Sequence, residues 1–354
     1  AKIKRIERTF RMEGNEDFTL EEVKEKFKEN KKKKVGLYDY FDQLIEEFGG
    51  SLQPRTLKKY QTVVNDLREF QKHSNYRISF DRINDTFLRK YLTYLYDKRK
   101  ISQNTAEKKV STLKTMLKHA KKAKVNVYSD FEDFKVKKVK TKKVSLNYDE
   151  LMQLYNCDFS KNPRLDKVRD IFCFGAFTGL RFSDIMQLKH SHIKRTAERN
   201  WIDFTIIKTR QQLKVPLTKY ALELIEKYEK INKNAVSALD KDDQKLLLGR
   251  KVFPPISSQK MNDYIKEAGE EARLYESFAI TKFIGTKRID SDHPKYEILS
   301  SHAARRTFTS VGMAKGIRAE VLQKILGHSN IKTTMGYGST SDDHKHDTLI
   351  DAWE

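Results

Sequence analysis

Four short segments in the C-terminal half of this 354-residue chain gather side chains suited to phosphate chemistry. They are TGLRFSDI with Arg181, IIKTR with Lys208, SHAARRTF with His302 and Arg305, and LGHSNIKTTMGYG with His328 and Tyr337. Two planar guanidiniums can clamp the non-bridging oxygens of a phosphodiester bidentately and stabilise the charge that develops there. A phenol has a pKa of about 10, so as a nucleophile at neutral pH it needs a proton acceptor or a strongly cationic pocket. A histidine can accept that proton or hydrogen-bond the phosphate. Taken singly, each residue has an ordinary reading. Arg181 after a Thr-Gly turn is a surface or salt-bridge residue, Lys208 a solvated hairpin lysine, the histidines satisfied structural groups, and Tyr337 a packed ring.

These segments need elements to hold them. Asn147-x-x-Glu150 caps one helix, and a second spans 164–177. Residues 201–217, WIDFTIIKTRQQLKVPL, alternate around a polar turn and predict a β-hairpin carrying Lys208. The stretch 278–298 contains Gly, Asp and Pro and predicts a second hairpin or a long loop; the rest of this half is helical. Upstream, Leu37, Tyr40, Phe41, Leu44, Ile45 and Phe48 fall on one helical face, with Gly49-Gly50 as a stop. Helices follow over 56–73, from Asp85, and from Ser102, making a compact four-helix unit. Thr19-x-x-Glu22 caps a short helix in the opening segment. The fold class is therefore mainly α with small β-hairpins (α+β). Its domains are an N-terminal helix at 1–34, a helical domain at 35–128, a basic linker at 129–144, a mixed α/β domain at 145–340 and a tail at 341–354.

The net charge of +22 favours a polyphosphate partner, because lysines and arginines gain free energy by releasing its counterions. The excess is uneven: basic residues outnumber acidic ones 25 to 9 over 51–144, and the two are balanced over 1–50. Lys135, Lys137, Lys138, Lys140, Lys142 and Lys143 crowd nine positions of the linker, where they read as exposed and able to touch DNA backbone without sequence preference. Cys157 and Cys173 form no CxxC or His cluster, which argues against a zinc site or a disulfide framework. No run approaches the roughly 20 apolar residues of a membrane-spanning helix.

Joint order and spacing then matter more than any single residue. The chain resembles the tyrosine recombinase (phage integrase) family, which includes Xer-type recombinases and the integrases of phages and conjugative elements. The resemblance is weak over the helical unit and strong over the four segments. In that family an arginine follows a T-G-x-R turn and precedes S-E or S-D, as Arg181 precedes Ser183-Asp184. A hairpin lysine stands eight residues before the proline of V-P-L, as Lys208 does before Pro216. An H-x-x-R pair opens a helix, matched by His302 and Arg305, and an L-G-H histidine lies nine residues before the nucleophile, as His328 does before Tyr337.

The resemblance implies a SAM-like core-binding domain followed by a catalytic domain, and cleavage through a 3′-phosphotyrosine at Tyr337. Lys208 would protonate the departing 5′ oxygen, and Asp184 would orient Arg181 or its helix. No cofactor and no metal are expected. The expected partner is double-stranded DNA at a specific site. The protein would be monomeric when free and a homotetramer on synapsed DNA, passing through a Holliday junction, with an accessory DNA-bending protein as a further partner. It would serve integration or excision of a mobile element in the bacterial cytoplasm, at the nucleoid. The tail at 341–354 is expected to pack on its own domain or on a neighbouring protomer, and Lys282, Lys287 and Arg288 to add DNA contacts. The opening at Ala1 leaves room for an upstream arm-binding domain, of which 1–34 would be a remnant. Arg306 stands where the family often has His, and Gly336 and Gly338 suggest a flexible nucleophile segment. Two other readings share parts of the pattern: a type IB topoisomerase-like enzyme, and a catalytically silent DNA-binding protein.

Overall fold

The computed structural model describes residues 19, 21, 36–125, 127, 129–206, 211–236 and 247–336. The cap at Thr19-x-x-Glu22, most of the 1–34 segment and the 341–354 tail lie outside these residues, as do Lys208 and Tyr337. Contacts divide the chain into two units: 1–140 together with 282–289, and 141–281 together with 290–354.

The first unit is built on α1 (Leu37–Glu47), α2 (Pro54–Ser74), α3 (Asp85–Asp97) and α4 (Gln103–Lys122). Pro54 starts α2, where its missing N–H costs nothing, and Asn75 closes it in the left-handed conformation at φ 49°. Asn84 caps α3 by accepting from Phe87 N at 3.0 Å. The apolar faces meet in one core containing Phe41, Leu67, Phe70, Phe87, Tyr91 and Leu117. Buried Asp66 is neutralised by Lys109 and, at 3.6 Å, by Arg99.

The lysine-rich stretch is more ordered than a solvated linker. Its lysines are exposed, yet its backbone is fixed to the start of α4. Gln103 donates to Lys137 O at 2.8 Å, while Asn104 donates to Val139 O at 2.9 Å and accepts from Val139 N at 3.0 Å. Phe131 is fully buried in the helical core.

The second unit contains α5 (Tyr148–Asn156), α6 (Pro163–Thr178), α7 (Phe182–Ile185), β1 (Ile193–Arg195), β2 (Asn200–Thr205), β3 (Gln212–Pro216) and α8 (Lys219–Val236). There follow α9 (Ser258–Glu271), the hairpin of β4 (Ser277–Ile284) and β5 (Lys287–Pro294), α10 (Lys295–Ile298), α11 (Ser301–Ala314), α12 (Ala319–Leu326) and α13 (Ile331–Met335). The tip of β4–β5, 282–289, is the part counted with the first unit. The predicted hairpin at 201–217 is β2–β3, paired antiparallel from Trp201↔Pro216 to Thr205↔Gln212, and β1 adds a third strand on β2.

Helix α6 is buried on most of its surface and forms the centre of the unit, packed by α5, α8, α9 and α11. Its buried charges are satisfied locally. Arg169 donates to the carbonyls of Tyr155 and Cys157 at 2.7 and 2.8 Å and to Asp170 at 2.7 Å, and Lys227 of α8 binds Asp166 and Asp170, each at 2.6 Å. The capping box at Asn147 and Glu150 forms as its spacing predicts, with both bonds at 2.8 Å. Glu150 also receives Lys295 Nζ at 2.8 Å, and Glu276 binds the same ammonium at 2.7 Å. No helix among the described residues is long and apolar enough to cross a membrane.

Candidate active site

Arg181 and His328 are presented by turns that end helices, and His302 and Arg305 by the start of α11. Helix α6 ends at Gly179 in the left-handed conformation, φ 71°, and the chain passes through Leu180 to Arg181, the N-cap of α7. A Cβ on Gly179 would stand 2.7 Å from the Phe308 ring and 2.9 Å from Leu326, so the turn requires glycine on both backbone and packing grounds. Helix α12 likewise ends at Gly327, φ 60°, and delivers His328. There Gln323 O accepts from His328 N at 3.1 Å, and Gln323 Nε2 donates to His328 O at 2.9 Å.

Arg305 joins the two turns. It comes from α11, is 1% exposed, and donates from Nη1 to Gly179 O at 2.7 Å and from Nη2 to Leu326 O at 2.6 Å. One guanidinium therefore fixes the turn before Arg181 and the turn before His328. Among the described residues, buried Arg181 Nη1 has no hydrogen-bond partner and stands 3.8 Å from Asp184 Oδ2, beyond hydrogen-bonding distance. A buried donor of this kind favours an incoming anion.

The electrostatics follow from this crowding of cations. Burial, then the fields of Arg306, Arg305, Lys143 and Arg181, lower the His302 pKa to about 4, although the residue keeps part of its surface in solvent. Burial, then Arg305, Arg181 and His302, lower His328 to about 4 as well. Both imidazoles are neutral at pH 7 and can each accept one proton or donate one hydrogen bond. His328 Nδ1 lies 2.9 Å from Thr334 Oγ1 on α13.

Of the six residues singled out in the sequence, Arg181, His302, Arg305 and His328 are brought together, with Asp184 beside Arg181. Lys208 lies outside the described residues, but the strand end before it does not: Ile206 N donates to Gln211 O at 2.8 Å, and the Ile206 side chain packs against Gly327. Tyr337 also lies outside them; α13 and Gly336 lead directly to it. Gly336 has φ −69°, a conformation open to any residue.

Two further cations reach the site. Arg306 and Lys143 both act on His302, and the backbone at 144–146 runs along α11, with Thr307 Oγ1 accepting from Leu146 N at 2.9 Å. The H-x-x-R motif draws attention to Arg305, and Arg306 stands out in the sequence only as a departure from the family's usual His. Lys143 was legible only as part of a lysine run. The other linker lysines are exposed, with Lys138 paired to Glu107 at 3.3 Å, and Lys282, Lys287 and Arg288 lie on the β4–β5 hairpin.

A DNA-modifying enzyme of the strand-breaking and rejoining type is what this arrangement defines, and comparison with known proteins places it further. Residues 145–344 match the phage integrase family and residues 36–139 the phage integrase SAM-like domain. The chain belongs to the phage integrase family and is a tyrosine-type DNA recombinase. It is 25% identical to the tyrosine recombinase XerC of Halalkalibacterium halodurans, over 83% of this chain and 89% of that protein. Its fold is that of the lambda integrase solved as a tetramer bound to a Holliday junction, with TM-score 0.59, 18% identity, and coverage of 84% of this chain and 78% of that one. It is also that of the Tn1549 transposon integrase solved with transposon right end DNA, with TM-score 0.60, 15% identity, and coverage of 90% and 99%.

Proposed function

We propose that the protein cuts and rejoins DNA at a specific site, with Tyr337 as nucleophile and the cluster of Arg181, Arg305, His302 and His328 as its phosphate pocket. The Tyr337 oxygen bonds to phosphorus, and its proton passes to His302. The P–O bond to the 5′ oxygen breaks, and that oxygen takes a proton from Lys208. The 3′-phosphotyrosine conserves the energy of the phosphodiester, so a new 5′ hydroxyl reverses the step without ATP. Arg181 and Arg305 hold the non-bridging oxygens, His328 donates to one of them, and Asp184 orients Arg181.

The observation that carries this reading is the buried Arg181 Nη1, without a hydrogen-bond partner among the described residues, whose charge acts on two neutral histidines. In this reading 35–128 is the core-binding domain, 145–340 the catalytic domain, and the lysines at 135–143 and on the β4–β5 hairpin lie along the duplex. Two sites are exchanged through a Holliday junction in a homotetramer assembled from monomers, with a DNA-bending protein assisting. The tail at 341–354 docks on its own or a neighbouring protomer. The product is integration or excision of a mobile element in a bacterial cytoplasm. Support for the assembly comes from the lambda integrase, solved as a tetramer on a Holliday junction, and support for the mobile element from the family's description. No observation favours topoisomerase-like relaxation or silent DNA binding.

The test uses half-site DNA whose short 5′ product diffuses away after cleavage. A covalent protein–DNA adduct is expected on a denaturing gel, lost in Tyr337→Phe. An adduct that survives Tyr337→Phe would refute the mechanism.

A further inference from the structure

Thr334 is fully buried in α13, three residues before Tyr337, and its hydroxyl meets Nδ1 of the His328 ring. We propose that Thr334 is a positioning residue for strand cleavage: it donates its hydroxyl proton to His328 Nδ1, so that His328 carries its own proton on Nε2 and presents a donor to the scissile phosphate.

The direction of that hydrogen bond follows from counting protons. A neutral imidazole has one N–H and one bare nitrogen, and the hydroxyl must place its single proton somewhere. Among the described residues, His328 Nδ1 is the hydrogen-bond partner of Thr334 Oγ1. Among the described residues the hydroxyl does not bond the carbonyl four residues back at Asn330, the one a helical threonine commonly uses. Were Nδ1 the donor, the buried hydroxyl proton would have no acceptor there, an unfavourable outcome. With Nδ1 as acceptor the buried hydroxyl proton is placed. The ring hydrogen then sits on Nε2, where a donor to phosphate is useful and an acceptor would repel its oxygens.

The same bond ties the histidine to the element that carries the nucleophile. Gln323 fixes the His328 backbone from α12, and Thr334 fixes its ring from α13. A shift of α13 that moves the tyrosine segment therefore also releases the ring that binds the phosphate.

This inference rests on the proposed role of the pocket, but its first test does not need cleavage. In full-length protein with 15N-labelled histidine, His328 assigned through His328→Gln, the spectrum at neutral pH is expected to show Nδ1 bare and Nε2 protonated. A proton on Nδ1 in the wild type would overturn the proposal. Thr334→Val is expected to shift the His328 tautomer ratio toward Nδ1–H and to slow single-turnover half-site cleavage about 10- to 100-fold at unchanged DNA affinity. Thr334→Ser, which keeps the hydroxyl, is expected within about threefold of wild type. Wild-type cleavage by folded Thr334→Val, or equal loss in the valine and serine variants, would overturn it. The nitrogen spectrum is read on free protein, so failure of Tyr337 as nucleophile would appear in the adduct assay alone.

Discussion

Arg305 donates to the carbonyl of Leu326 at 2.6 Å, two residues before His328, and the same guanidinium holds Gly179 O at 2.7 Å, two residues before Arg181. An arginine expected to hold phosphate is thus also the strut that sets the spacing of the pocket. Hydrogen bonds to a charged group contribute about 1.5–3 kcal/mol each, so Arg305→Ala is expected to cost about 3 kcal/mol in urea unfolding, besides abolishing cleavage. Arg305→Lys keeps the charge but offers no fork to two carbonyls and is expected to lose cleavage at least about 100-fold. Hydrogen exchange should report loosening at residues 179–181 and 326–328 in both variants.

Arg181 acts on both histidines through its field. Arg181→Ala is expected to raise the His302 and His328 pKa values only modestly from about 4, because burial, the largest cause, and the other cations remain, and to lower cleavage about 10²- to 10³-fold as for loss of a transition-state donor. Titration of the ring protons by NMR gives the first number and adduct formation the second. Unmoved histidines would contradict the electrostatic picture.

The lowered histidines make stability depend on pH in a definite direction. Between 6.5 and about 4 the unfolded chain binds protons at His302 and His328 that the native pocket refuses, so stability falls as pH drops through that window and is indifferent to these groups above it. Burial lowers His190 and His192 too, and they add to the same slope. His302→Gln is therefore expected to unfold at a denaturant midpoint that changes less between pH 7 and pH 5 than that of the wild type. A steeper change would reverse the sign.

Gly179→Ala meets both a left-handed φ and two side chains closer than 3 Å. The backbone alone costs about 1–2 kcal/mol. A fall in thermal midpoint is expected, with a larger loss of cleavage than the fall implies, because Arg181 is displaced with the turn.

Much of this architecture was legible in the sequence. Helices α1 to α4 announce themselves by apolar spacing and by punctuation at Gly49-Gly50 and Ser102, since these are local signals with local causes; Pro54 and Asn84 mark the true starts of α2 and α3. The capping box at Asn147 is local in the same sense. What escaped notice depends on residues distant along the chain. The hold of Asn104 on Val139 spans 35 positions and left the lysine stretch looking unstructured. The grip of Arg305 on Gly179 spans 126 and has no periodic trace. The action of Lys143 and Arg306 on His302 was not legible for the same reason: a positive field there is a property of the folded pocket.

The cage of Glu150, Lys295 and Glu276 closes the neck of the β4–β5 hairpin, where Lys295 N also donates to Glu276 O at 2.9 Å. Strands that leave and return through one ionic clasp can be trimmed, lengthened or exchanged beyond it without disturbing α11, which starts six residues later. The hairpin is in that respect a cassette, and the clasp is the joint at which relatives could exchange one for another.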